Sequence, residues 1–272
     1  MKRRNFIKAA GALSVVSATS MASTLRMGSG SSEVSDTSGI IATSAAKEIY
    51  EWRIYTLTGD GQQLDSFFEK TLIPAYGRKK IKVGAFKLFR QKDGEKDQRH
   101  LVLIYPNIET YYKVKKTIWD DKEFRQKAQE FYDATAPNPV YSNLESYLSE
   151  AFDKIPTHRN PDPARTLFEI RIYRSPNEEA NQRKVTMFNK DEIDIFDKVE
   201  VNSVLYGDIL AGPKMPALLY LTWYKDEQTR SEAWKKFGEH PDWKRISKLP
   251  EYAHTATDNQ SIFLSPMPYS QI

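Results

Sequence analysis

Residues 49–57 alternate with a period of two: Tyr50, Trp52 and Ile54 fall on one face, and Glu51, Arg53 and Tyr55 on the other. That pattern predicts a strand. It returns 118 positions later, with Phe168, Ile170 and Ile172 against Glu169, Arg171 and Tyr173. Both strands break at turn residues, Gly59-Asp60-Gly61 and Ser175-Pro176-Asn177. The apolar spacing then lengthens to that of a helix. Leu64, Phe67, Phe68, Leu72 and Ile73 mark it in the first copy, with Pro74 near its end. Val185, Phe188 and Ile193 mark an interrupted helix over 177–196 in the second. Two strands follow in each copy, at 85–89 and 101–105 and at 203–207 and 218–223, with turns at Asp93-Gly94 and Gly212-Pro213. The second of each pair is a nearly continuous apolar run, as a central strand requires. A second helix carries Ile118, Glu123 and Phe124, matched by Phe237, Asp242 and Trp243 at an offset of 119. One net insertion is what a duplicated unit shows. Closing strands are predicted at 142–152 and 260–267.

The order βαββαβ, met twice, predicts an α+β chain of two tandem ferredoxin-like repeats, 47–153 and 166–272. A linker at 154–165 joins them and holds Pro156, Pro161 and Pro163. Two helices cover only one face of such a sheet. Burying the other faces against each other gives a pseudo-twofold α/β barrel with helices outside. Pairing each copy with one from another chain, in a homo-oligomer, satisfies the same need.

Composition changes the picture mainly by exclusion. The chain has 272 residues, a formal net charge of +4 and no cysteine. Disulfides, thiolate zinc sites and Cys-ligated iron–sulfur clusters are excluded. Four of the positive charges, Lys2, Arg3, Arg4 and Lys8, lie at the start. The remainder is close to neutral, and no nucleic-acid footprint is expected. Residues 1–22 resemble a twin-arginine signal: Lys2-Arg3-Arg4-Asn5-Phe6-Ile7-Lys8, an apolar run from Ala9 to Ala18 too short to span a bilayer, and small residues up to Ala22. This predicts passage through the twin-arginine export machinery and a periplasmic or secreted protein. Residues 23–46, rich in Ser, Thr, Gly and Ala, read as a flexible spacer.

Candidate chemistry centres on Glu51, Arg53 and Tyr55 and on Glu169, Arg171 and Tyr173. Assigning Tyr50, Trp52 and Ile54 to the helices turns both polar trios into the barrel, facing each other. Positions i and i+2 on one strand face are about 7 Å apart, so Glu and Arg meet there. Unpaired charges would be costly to bury. The trios are either a lock between the sheets or a pocket whose Arg binds a carboxylate, phosphate or enolate oxygen. In a pocket, Glu could serve as base and Tyr as donor. The histidines are weaker candidates. His100 has no counterpart in the second copy, His158 lies in the linker, His240 has the position of a helix cap, and His254 has no second ligand near it. Trp119 with Phe124, and Trp234 with Phe237 and Trp243, are spaced for helix core. Phosphate loops, Gly-x-Ser-x-Gly elbows and His-Glu-x-x-His are missing from the sequence.

The strand 50–55, its echo at 168–173 and the later Asp242-Trp243 resemble the NIPSNAP family. The resemblance covers residues 47 to about 267. It implies the dimeric α/β barrel fold, shared with antibiotic-biosynthesis monooxygenases, Dyp-type peroxidases and chlorite dismutases. The family has no generally established activity, and its animal members look like mitochondrial interaction proteins. The wider group implies a small molecule bound inside the barrel, with cofactor-independent oxygenation as one activity and an interaction module with a filled barrel as the alternative. It also includes haem binding through a histidine. No haem motif of those relatives is repeated here, so no cofactor is expected.

Overall fold

Each repeat lays down four strands. The first contributes β1 (Ile49–Leu57), β2 (Lys82–Leu88), β3 (Gln98–Tyr105) and β4 (Tyr141–Ala151). The second contributes β5 (Leu167–Arg174), β6 (Asn202–Ala211), β7 (Ala217–Tyr224) and β8 (Asp258–Pro266). In the computed structural model, which describes residues 46–272, they close into one antiparallel barrel in the ring order β1-β3-β2-β8-β5-β7-β6-β4. Each repeat keeps the ferredoxin-like order within itself, β4-β1-β3-β2 and β8-β5-β7-β6. The barrel therefore closes within a single chain. The expected twin-arginine leader, residues 1–22, and all but the last residue of the expected spacer, 23–46, lie outside the described residues. Among the described residues, no helix is long and apolar enough to cross a membrane.

The helices pack outside. Residues 62–78 form α1, whose middle turn, Phe68–Leu72, is widened to π geometry. The widened turn shifts the hydrogen-bond ladder just before Pro74, a residue with no N–H to give it. The helix therefore continues past Pro74 to Arg78, one turn further, with Pro74 near its end as expected. The counterpart in the second repeat, α4 (residues 178–198), carries the same widened turn at Phe188–Glu192. That is the predicted interruption. The remaining helices are α2 (Ile108–Thr117) and α3 (Lys122–Thr135) in the first repeat, and α5 (Glu227–Glu239) and α6 (Pro241–Ile246) in the second. Asn107 and Asp226 cap the matching helices α2 and α5 by accepting from Thr110 N and Thr229 N.

The core has three layers. Tyr50, Trp52 and Ile54 fill the barrel together with Phe86, Val102, Ile104, Phe168, Ile170 and Leu219. A second layer lies between the first repeat's sheet and its helices, and a third lies in the same place in the second repeat. An eight-stranded barrel is just wide enough for side chains to fill, and this one is filled by bulky apolar residues from both repeats.

The two sheets meet along narrow seams. β2 pairs with β8 over Phe86–Leu88 only, and β4 with β6 over Leu148–Ala151 only. At the second seam Gly207 lies against Ser149, and a methyl group there would overlap the serine side chain. Beyond the seams, irregular chain covers the exposed edges. Met267 N and Gln271 N donate to Ala85 O and Val83 O of β2, while Phe152 N and Arg159 N donate to Tyr206 O and Val204 O of β6.

Candidate functional site

The two polar trios do not point into the barrel. Glu51, Arg53 and Tyr55 face the helices of the first repeat, and Glu169, Arg171 and Tyr173 face those of the second. Since β1 and β5 stand four places apart in the eight-membered ring, the trios lie on opposite outer faces rather than facing each other. Alternation separates two faces without naming the inner one. The fully dry barrel takes the large apolar rings, whereas the helix side can supply charged partners.

Those partners saturate Glu51. Its Oε1 accepts from Arg53 Nε at 2.9 Å and Lys115 Nζ at 3.2 Å, and its Oε2 from Arg53 Nη2 and Tyr105 OH, both at 2.9 Å. All four lone-pair directions of the carboxylate are used. Burial by itself would raise the Glu51 pKa, but Arg53, helped by Lys115 and Tyr105, holds it below the ordinary value. Burial pushes the Tyr105 and Tyr55 hydroxyls up, so both stay protonated.

Arg53 spends its Nε–Nη2 edge on Glu51, and Nη2 also reaches Tyr76 OH at 3.3 Å. Among the described residues its Nη1 has no hydrogen-bond partner. Arg53 and Tyr55 form part of the wall of a cavity of about 400 Å³ between the sheet and the helices, closed on other sides by Tyr76, Tyr111, Trp119 and Tyr132. Lys115 also lines it, with its side chain 41% exposed. Trp119, read from sequence as core, is 43% exposed.

The second repeat spends the same chemistry differently. Glu169 is gripped through the Nε and Nη2 of Arg230, at 3.0 and 2.9 Å, and by Ser261 Oγ at 2.6 Å. Arg171 gives it only one bond, from Nη1 at 3.2 Å. At the place of Lys115 stands Trp234, whose ring lies 4.2 Å from the Arg171 guanidinium. At the place of Leu101 stands Tyr220, packed among Phe188, Phe196 and Tyr206. A buried Lys184–Glu192 pair at 3.1 Å occupies the positions of Leu64 and Leu72. Sequence reading missed Tyr105, Lys115 and Arg230. Comparing the two copies along their second helices, where Tyr111 and Lys115 become Arg230 and Trp234, carries the signal that distinguishes them.

The histidines take structural places. His100 sits inside the barrel, where Nδ1 accepts from Trp52 Nε1 at 3.2 Å and Nε2 meets Gln98 Oε1 at 3.0 Å. Burial lowers its pKa to about 3, so it is neutral. His240 Nδ1 accepts from Asp242 N at the start of α6, the expected cap. His158 Nδ1 lies 3.0 Å from Glu48 Oε2, and His254 is exposed. Among the described residues, no group of three or more His, Asp or Glu side chains is arranged to hold a metal ion.

Comparison with known proteins separates fold from family. A candidate monooxygenase from Lactobacillus acidophilus superposes with a TM-score of 0.54 at 9% identity, covering 81% of this chain and 94% of that one. A second, from Fusobacterium nucleatum, gives 0.51 at 11%, covering 81% and 93%. At such identities the likeness is one of fold. A NIPSNAP-like domain protein from Burkholderia xenovorans is 22% identical over 39% of this chain and 90% of its own, with a TM-score of 0.35. No curated protein matches the chain. The sequence pattern of the NIPSNAP family matches residues 168–271, nearly the whole second repeat. The second half of the barrel thus carries a NIPSNAP family domain.

Proposed function

We propose that the first repeat binds a small molecule with an anionic head and a flat apolar body, in the cavity between β1 and the helices. The observation that carries this reading is Arg53, whose Nε–Nη2 edge is fixed on Glu51 while its side chain lines a cavity of about 400 Å³ walled by aromatic rings. Pockets of that size suit small organic ligands, and this one joins aromatic walls to a charged end at Arg53 and Lys115. The cavity replaces the barrel interior as the ligand's place, since the interior is packed with side chains.

Binding is a better reading than proton abstraction. A general base needs a free lone pair, and Glu51 has four donors on its two oxygens. Oxygenation, named for the two bacterial neighbours, would use Arg53 to hold a substrate enolate without calling on Glu51 as base. It remains the second reading, supported only by Arg53 on the cavity wall and a shared fold.

Calorimetric titration with 2-naphthoate tests the binding reading. The wild-type protein should take up the probe. Arg53→Lys keeps the charge but not the fork, and should lose tenfold to a hundredfold in affinity, the worth of one charged hydrogen bond of about 1.5–3 kcal/mol. No uptake by folded wild-type protein, or equal uptake by a folded Arg53→Lys variant, would overturn it.

A further inference from the structure

We infer that the second repeat holds a separate carboxylate site on Arg171, covered in this structure by Trp234. The buried Arg171 Nε has no hydrogen-bond partner among the described residues, and beside it Trp234 Nε1 and Tyr224 OH have only each other and Thr222 within reach, without a well-formed bond. Buried polar atoms are nearly always satisfied, so an unsatisfied cluster demands an occupant or a movable cover. Tyr224 is completely buried.

The chemistry of Arg171 says which occupant. In the first repeat the Nε–Nη2 edge of Arg53 is spent on its own strand's carboxylate. In the second, Arg230 has taken over that task with its own Nε and Nη2. Arg171 reaches Glu169 through Nη1 alone, which leaves its Nε–Nη2 edge without a partner among the described residues. That edge is the one that grips a carboxylate with two parallel hydrogen bonds. Two guanidiniums share the single carboxylate Glu169, so the place carries one uncompensated positive charge.

Trp234 supplies the cover. Its ring lies 4.2 Å from the Arg171 guanidinium and 5.5 Å from that of Arg230. A planar ring between two guanidiniums is an imitation of the ligand: an aromatic carboxylate would put its ring where the indole stands and its charged end on Arg171. The indole is only half-buried, so it can swing outward from α5 without disturbing the sheet, giving up its edge-on contacts with Phe196 and Phe237. The site rests on the second repeat's own geometry and does not depend on the cavity of the first.

Nitrogen-15 NMR of the indole N–H groups reads both repeats in one titration. The sequence has five tryptophans; Trp119 lines the first repeat's cavity and Trp234 covers Arg171. Substitutions Trp119→Phe and Trp234→Phe assign the two signals. On titration with 2-naphthoate, the Trp234 signal should shift along a saturating curve, and Arg171→Gln should abolish that shift while leaving any Trp119 response unchanged. Trp234→Ala should gain about tenfold in affinity at this site by calorimetry, because ligand no longer competes with a closed state. Should Arg171→Gln fail to fold, the Trp234→Ala measurement decides alone. A Trp234 signal unmoved at saturating probe, a shift that survives in Arg171→Gln, or a Trp234→Ala protein that gains no binding would each overturn the inference. A silent Trp119 beside a moving Trp234 would count against the first cavity only.

Discussion

Glu51→Ala should cost about 3–5 kcal/mol of stability, the loss found when one partner of a buried ion pair is removed. The carboxylate is 3% exposed and Arg53 9% exposed, so the stranded guanidinium keeps only the limited hydration that the cavity offers its outer edge. Tyr105, wholly buried, loses its acceptor as well. Lys115 adds little to the loss, because its exposed side chain returns to solvent. Urea unfolding checks this: the midpoint should fall with the slope unchanged. A change below 1 kcal/mol would show that Arg53 finds another partner. The same carboxylate sets an acid limit. Its folded pKa lies below the ordinary 4.5, so its contribution is complete above about pH 4.5 and is lost as pH falls through the folded value. Glu192 runs the other way. Burial raises its pKa despite Lys184, so its contribution is complete below about 4.5 and fades as pH rises through the folded value. Stability of Glu51→Ala should therefore change less steeply with pH on the acid side than that of the wild-type protein.

Trp52→Ala should be as damaging, at about 3–5 kcal/mol. The indole is completely buried in the barrel, stacked on Phe86 at 5.8 Å and edge-on to His100 at 6.0 Å. Its removal leaves a cavity that the surrounding strands cannot collapse into, since each is fixed by its neighbours around the ring. It also strips His100 Nδ1 of its donor, and a buried polar atom left without a partner adds about 1–3 kcal/mol. Against a typical total of about 5–15 kcal/mol, this single change should remove a large part of the fold's stability. Trp119→Ala, at a half-open aromatic of the cavity wall, should cost much less. Comparing the two urea midpoints tests the assignment of Trp52 to the inside of the barrel. Equal losses would contradict it.

The strands were the most legible part of the chain. The alternation at Tyr50–Tyr55 marks β1, and its echo at Phe168–Tyr173 marks β5, because both faces of a sandwiched strand must be chosen residue by residue. The fold class followed from repetition of six elements. The direction of each face was not legible. Period two is unchanged when a strand is turned over, and both faces of β1 are buried, so hydrophobicity alone cannot tell the dry interior from the helix side. The volume of Tyr50, Trp52 and Ile54 was the better guide, since a closed ring of eight strands needs bulk at its centre. The candidate site was half legible. Glu51 and Arg53 meet as their spacing requires, but Lys115, Tyr105 and Tyr76 come from other elements and reach the pair only through the packing of α1, α2 and β3. Trp119 and Trp234 show the same limit: helical spacing placed both on a packed face, without showing that one borders a cavity and the other lies on a guanidinium.

The two seams have a consequence for how chains could associate. β1 and β3 share eight paired residues within one repeat, whereas the strand pairing between the repeats is three pairs at one seam and four at the other, added to by the edge bonds of Met267 and Gln271 on β2 and of Phe152 and Arg159 on β6 and by the shared apolar core. The rungs most readily broken are thus those between the halves, not those within them. Residues 152–166, between β4 and β5, carry neither helix nor strand, but Phe152 and Ile155 are buried in the second repeat's core and Phe152 N and Arg159 N bond to β6, so a crossing connection would have to leave from the stretch before Phe152 or release those anchors. Two chains opened at both seams could trade halves and rebuild the same barrels with the same seams, joined only by crossing connections. For this architecture, the step from one chain to a swapped pair would require no new contact surface.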